Sequence, residues 1–187
     1  MRQAESANFE FLRKSSAQLY RLAALAEHYF PTDPNTSLIK LRQFAELLAQ
    51  DAGARAGLEP LRDEQFNDYL RRLSFSNYAP SRAMELFHHL RRAGNDAAHT
   101  GREDFGAALS ALKIARELAV WYARTFGGEP KFTPGPFTPP TAPPDPSEAL
   151  NAELGRLRAE AEAHRTAAEI ERQRADEAEV ARLTAQD

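Results

Sequence analysis

The sequence of 187 residues contains no cysteine and no long apolar run. The absence of cysteine excludes a disulfide framework and any zinc site built on thiolates, and it fits a reducing compartment. No stretch approaches the roughly 18 apolar residues that a membrane-spanning helix requires. The opening "MRQAESANFEFLRKSS" also lacks the apolar core of a signal peptide. We therefore expect a cytoplasmic protein with no membrane partner.

Other missing features exclude further classes of function. The formal net charge is -3, so the overall charge does not indicate non-specific binding of nucleic acid, although basic residues can still cluster locally. No G-x-x-x-x-G-K-[ST] phosphate loop occurs, so this chain by itself is not an ATP-driven motor. The sequence shows no arrangement of paired carboxylates and a lysine that would indicate a metal-dependent DNA nuclease. We expect no metal site and no cofactor.

Residues 1–126 carry apolar side chains at helical spacing and show no convincing strand pattern. Amphipathic helices joined by short loops pack as an antiparallel bundle, so the predicted fold class is all-α. Five helices are predicted, over Ala17–Phe30, Thr36–Ala56, Asp63–Leu73, a fourth beginning at Pro80, and Asp104–Phe126.

Two further zones follow the bundle. Residues 127–146 hold eight of the twelve prolines and are interpreted as a semi-rigid spacer, with a proline-rich docking ligand as the alternative. Residues 147–187 are rich in Ala, Glu and Arg, and their apolar positions alternate at spacings of four and three. This pattern predicts a long helix that either forms a coiled coil or extends, solvated, toward a further domain. The chain ends within that charged pattern, which fits a fragment of a longer protein.

The segment "LRRAGNDAAHTG", Leu90 to Gly101, is the most informative stretch for function. On a helical wheel His88, Arg92, Asn95 and His99 form one stripe opposite the apolar face. Gly94 costs about 1 kcal/mol relative to alanine inside a helix. Its presence therefore indicates either a kink or the close approach of another backbone.

Two interpretations of this stripe are open. The simpler one is an ordinary solvated helix face, with His99 favoured by the helix C-terminus. The other is a site for RNA cleavage without metal, because histidine moves protons near neutral pH and arginine binds phosphate oxygens. The candidate catalytic residues are Arg92, Asn95 and His99, and the candidate nucleic-acid-binding residues are His88, Arg91 and Arg92. A regular helix separates Arg92 from His99 by about 10 Å along its axis, so a kink or a second protomer would have to complete such a site.

The combination of segments resembles a known family. "RAGNDAAH", Arg92 to His99, is similar to the arginine–histidine signature of the HEPN superfamily. The segments "NFEFL", "DPNTSLIKLRQFAELLA", "LFHHLRRAGNDAAH" and "ALKIARELAVWYARTF" occur in the same order in a HEPN-like domain of formerly unknown function. That domain is found near the N-terminus of type I restriction enzyme R subunits and related helicase-containing defence proteins, and the resemblance covers about residues 6–126.

The resemblance implies Arg92 and His99 as the signature pair, a homodimer with facing motifs, and nuclease and helicase domains downstream. Active members usually carry a polar residue directly after the arginine, where this chain has Ala93. The predicted function is therefore an accessory domain of a restriction or anti-phage protein that binds RNA, DNA or another subunit. The alternatives are a metal-independent ribonuclease and a purely structural module that dimerises through the bundle or the C-terminal helix.

Overall fold

The computed structural model describes residues 5–76, 78–100 and 103–141, together with Arg156 and Glu162. Within this part of the chain all regular structure is helical. A short 3-10 helix precedes five α-helices, with the bounds Glu10–Leu12 for the 3-10 helix, Ala17–Tyr29 for α1, Pro34–Arg55 for α2, Phe66–Phe75 for α3, Ser81–Thr100 for α4 and Phe105–Phe126 for α5. The predicted all-helical architecture is confirmed.

Local sequence signals explain where three of these helices begin. Ser16, Asp33 and Asp104 precede α1, α2 and α5, and each side chain accepts a hydrogen bond from a backbone N–H three residues later. The α3 helix begins at Phe66 rather than at Asp63, because Asp63 has a φ of 60°, which a right-handed helix does not accommodate.

Helix α2 lies at the centre of the bundle, because it contacts each of the other four α-helices. Its apolar face packs into a single core that all the helices share. The largest fully buried side chains are Tyr69, Tyr122, Phe9, Phe44 and Phe87. Burial of this continuous apolar surface, rather than helix propensity alone, stabilises the arrangement.

Helix α4 crosses α2 at Gly94, and there the two helices lie very close together. A Cβ placed on Gly94 would come within 2.4 Å of the Arg42 Cβ and 3.0 Å of the Leu38 carbonyl oxygen. Helix α4 runs without interruption from Ser81 to Thr100. Of the two roles that the sequence suggested for Gly94, the structure shows the close approach and no break in the helix.

The residues before α1 and after α5 pack on the bundle and on each other. Residues 129–141, which we call the strap, follow α5 without regular secondary structure beyond a turn. The side-chain nitrogen of Asn8 donates a hydrogen bond to the backbone carbonyl of Thr138 at 2.7 Å. The backbone N–H of Thr138 donates in return to the side-chain oxygen of Asn8 at 2.9 Å. The Phe11 and Phe132 rings lie 4.7 Å apart. This part of the predicted spacer is therefore held against the bundle by side-chain contacts that composition does not predict.

The chain divides into two units, Met1–Ala142 and Pro143–Asp187. In the second unit the structure describes Arg156 and Glu162, both in helical conformation. The rest of the predicted long helix, 147–187, lies outside the described residues, and its coiled coil stays a prediction.

Replacing Gly94 with alanine is expected to destabilise the fold. Alanine ordinarily stabilises a helix by about 1 kcal/mol relative to glycine, but the added methyl group would clash with Arg42 and Leu38. We expect the free energy of unfolding to fall by about 1–3 kcal/mol, measured by denaturant titration. The control is Gly106→Ala, an exposed α5 position where the nearest atom is an Asp104 carboxylate oxygen at 3.3 Å. A stabilising Gly94→Ala variant would contradict the close contact.

Replacing Asn8 with alanine is expected to release the strap. The change removes both hydrogen bonds to Thr138 and a third to the buried carboxylate of Glu27. Loss of partners for buried polar groups typically costs about 1–3 kcal/mol. Hydrogen exchange should show faster exchange at the Thr138 amide, whereas Thr133→Ala, an exposed change within the strap, should leave that rate unaltered. Equal exchange in the Asn8→Ala variant and the wild type would refute the role of Asn8.

Candidate functional site

The polar stripe predicted on α4 lies on the side of the helix that faces away from the core. Arg92 and His99 are exposed, whereas His88 and Asn95 are partly buried. Gly94 and Ala97, which the wheel places on the opposite side, are buried. The sequence periodicity and the packing of α4 therefore agree on which side faces outward.

Among the described residues, Arg92 lines a cleft that His99 does not line. They lie seven positions apart on an uninterrupted helix, which corresponds to about 10 Å along the axis. The cleft that Arg92 lines does not include Asn95 or His99 among its lining residues. Within one chain, the three predicted catalytic residues are therefore neighbours along a helix face and not a closed constellation.

Arg92 instead borders a cleft of about 440 Å³ between α4 and the N-terminal ends of α2 and α5. The polar side chains that line it are His89, Arg92 and Asp96 from α4, Asn35 from α2, and Asp104 before α5. The first three are spaced i, i+3 and i+7, so one face of α4 presents them together. Sequence reasoning missed His89, although that spacing signals it, and no local pattern connects Asn35 with α4.

Opposing charges meet in this cleft. The N-termini of α2 and α5 carry positive partial charge, which adds to that of Arg92. The carboxylate of Asp104 accepts a hydrogen bond from the Ala107 N–H at 2.8 Å and so already caps the N-terminus of α5. Asp96 contributes a second carboxylate on the α4 side. The cleft is thus polar but nearly balanced, and its cationic part lies at the Arg92 edge.

Two polar atoms near this region are buried without a hydrogen-bond partner in the part of the chain that the structure describes. They are Oδ1 of Asn35 and Nε of Arg91. Buried polar groups are normally paired. Arg91 thus holds an unused donor on the partly buried edge of the α4 polar face.

The electrostatic effect of the two arginines is visible at His88. Partial burial, together with the positive charges of Arg91 and Arg92, lowers the pKa of His88 below the ordinary histidine value. His88 is therefore protonated less readily than an exposed histidine. The cationic character of this face at neutral pH comes from Arg91 and Arg92, and protonation of His88 requires either lower pH or a nearby anion.

Other classes of site are not indicated in the described residues. No helix of the described residues combines the length and apolar character needed to cross a membrane. No group of three or more His, Asp or Glu side chains in the same part of the chain is placed to hold a metal ion.

Comparisons with known proteins agree with the resemblance noted from the sequence. The chain is 38% identical over 117 residues to the type I restriction enzyme EcoKI endonuclease subunit of Escherichia coli (strain K12), a match that covers 63% of this chain and 10% of that subunit. The chain thus spans about a tenth of the length of this curated relative. No solved structure matches the chain significantly. Residues 25–125, from within α1 to the end of α5, match the family model described as a domain of unknown function, DUF4145. The chain belongs to the DUF4145 family.

Proposed function

We propose that this helical bundle is an accessory domain of a type I restriction or anti-phage protein, and that it binds nucleic acid through the polar face of α4. The similarity to a type I restriction endonuclease subunit supports the first part. A HEPN-like fold, with Arg92 and His99 as its signature pair, belongs to the same proposal. The patch formed by His88, His89, Arg91 and Arg92, which we call the α4 patch, supports the second part, because its two arginines are positively charged.

The observation that carries the proposal is that Arg91 and Arg92, which are adjacent on α4, have no carboxylate partner. In the described part of residues 5–126, the arginines that form ion pairs with carboxylates are Arg13, Arg42, Arg55, Arg62, Arg72 and Arg82. Arg91 and Arg92 form no such pair within the described residues; the Arg92 side chain is exposed, and Arg91 is partly buried, with its Nε itself buried. Guanidinium groups without a carboxylate partner are suited to phosphate oxygens.

The type of contact follows from the charges around the patch. Asp96 and Asp104 line the cleft beside Arg92, and they disfavour capture of a free phosphate ion in its interior. A phosphodiester backbone, in contrast, can contact Arg92 from the solvent side and extend along α4. Such contacts provide affinity without sequence specificity and weaken as salt increases.

Binding fits this geometry better than cleavage does. Metal-independent cleavage of RNA needs a proton-transfer group and a charge-stabilising group at the same phosphate. The regular α4 helix holds Arg92 and His99 about 10 Å apart along its axis, so one chain does not place both on one phosphate. Cleavage would need a second copy of the chain to supply one of the two groups.

The first prediction from this proposal concerns affinity. The double variant Arg91→Ala/Arg92→Ala should bind labelled single-stranded RNA or duplex DNA about tenfold more weakly at low salt, with a salt dependence reduced by about one to two phosphate contacts. Fluorescence anisotropy across a salt series measures both quantities. Arg21→Ala, an exposed position on α1 without an ion pair in the described residues, should leave the affinity within about twofold.

Three outcomes separate the alternatives. Lack of binding at low salt, or equal loss in Arg21→Ala, would refute the α4 patch. The His99→Ala variant should bind as the wild type does. Release of a 2′,3′-cyclic phosphate product in excess chelator, abolished by His99→Ala, would instead establish the ribonuclease.

The second prediction concerns the protonation of His88. Because its pKa is lowered by burial, Arg91 and Arg92, the His88 ring should titrate at lower pH than an exposed histidine in an NMR titration. The Arg92→Ala variant should raise that pKa. An oligonucleotide bound at the α4 patch should raise it further, since a phosphate stabilises the imidazolium. Binding should therefore strengthen as the pH falls through the titration of His88, and an unchanged pKa on binding would place the nucleic acid elsewhere.

A further inference from the structure

A second surface, remote in sequence from the α4 motif, has the features of a binding groove. This groove has a volume of about 660 Å³ and lies between α5, the start of α4 and the strap. Its basic side chains are Lys113, Arg116 and Arg124 from α5. Its apolar lining comes from Trp121, with Pro134 and Phe137 of the strap.

The three cations of this groove are not neutralised by carboxylates in the described part of the chain. Arg116 donates to the Gly135 carbonyl, and Arg124 donates to the Phe132 carbonyl at 2.8 Å. Both acceptors are neutral, so the arginines are oriented by the strap and keep their full charge. The Lys113 ammonium lies 5.8 Å from the centre of the Phe137 ring and is exposed.

The groove's acidic side chain is already engaged. Glu117 accepts two hydrogen bonds from Arg82, at 3.0 and 3.1 Å. This bidentate pair neutralises the carboxylate at the rim. The remaining charge of the groove is positive and comes from Lys113, Arg116 and Arg124.

The aromatic side chains argue against a nucleic acid as the occupant. The Trp121 ring is partly buried and makes edge contacts with Tyr78, Phe87 and Phe126. The face of Phe137 is approached by Lys113. Single-stranded nucleic acids are usually bound by open aromatic faces on which bases stack, whereas both of these rings already contact neighbouring side chains. The apolar lining suits aliphatic or aromatic side chains instead.

From this combination we infer that the groove is a docking site for an acidic, extended protein segment that carries apolar side chains between its carboxylates. Lys113 and Arg124 lie eleven residues apart on α5, which corresponds to about 16 Å. An extended peptide spans that distance with about five residues. The occupant is thus a short linear segment whose carboxylates meet the cations and whose apolar side chains contact Trp121 and Phe137.

The test uses the full chain and a fluorescein-labelled synthetic peptide in which glutamates alternate with leucine and phenylalanine. A peptide with lysine in place of each glutamate is the matched negative probe. We expect the acidic peptide to bind with salt-dependent affinity, and Lys113→Glu and Arg124→Glu each to weaken it by about tenfold. Arg71→Glu on α3, a helix that does not contact α5, should change the affinity by less than about twofold.

A variant that gains affinity serves as a further control, because a variant that merely unfolds would lose affinity. Glu117→Gln removes the groove's carboxylate and leaves Arg82 with its longer contact to Glu85, at 3.7 Å, so it should strengthen binding of the acidic peptide by about threefold. Three results would each overturn the inference. The first is absence of peptide binding, and the second is no effect of Glu117→Gln together with equal loss in Arg71→Glu. The third is preferential binding of single-stranded DNA with the same sensitivity to Lys113→Glu. The α4 variants Arg91→Ala/Arg92→Ala should leave peptide binding unchanged, so this inference and the proposed function fail independently.

Discussion

The close approach of α4 to α2 at Gly94 is the contact on which the arrangement of the α4 patch and its neighbouring cleft depends. No side chain larger than hydrogen fits between Gly94 and the Arg42 stem, and the Leu38 carbonyl lies just behind it. Arg92 precedes Gly94 by two residues, which is about 200° around a helix. Once Gly94 is pressed against α2, the Arg92 side chain must therefore face outward. The same contact brings the middle of α4 to the beginning of α2, where the cleft forms.

A second constraint comes from proline in the strap. Proline has no N–H to donate, so the segment after α5 cannot join the bundle as a helix or by a ladder of backbone hydrogen bonds. Side chains take over this role: Asn8 pairs with Thr138, and Arg116 and Arg124 donate to strap carbonyls. Burial raises the pKa of Glu27, whose carboxylate accepts from Asn8. The N-terminal segment thus connects α1 with the strap and holds the outer wall of the α5 groove in place.

Each of the two proposed surfaces contains a few of the cationic residues of a nearly neutral bundle. Residues 1–126 contain 17 Lys or Arg and 15 Asp or Glu, so neither surface results from a large overall charge. Each results from local pairing, because most carboxylates are engaged elsewhere and leave particular cations without partners. On α4 these cations stand beside a polar cleft, which suits a phosphodiester backbone. On α5 they flank an apolar lining whose aromatic rings already contact neighbouring side chains, which suits a peptide. A restriction-associated domain with both surfaces would contact nucleic acid and another protein segment at the same time.

Apolar periodicity in the sequence was sufficient to locate the helices but not all of their boundaries, because this signal acts within a few residues. The apolar spacing located all five helices, and the polar stripe of α4 was correctly assigned to the outward side. The burial of Phe9 and Leu12 and the strap's contact with Asn8 could not be deduced, since they join residues far apart in the chain. Packing between helix faces likewise placed Asn35 and His89 beside Arg92. It also placed Lys113 beside Phe137 of the strap. Tertiary packing decided which residues became neighbours. A glycine within a helix indicates that space is needed, but it does not indicate which backbone occupies that space.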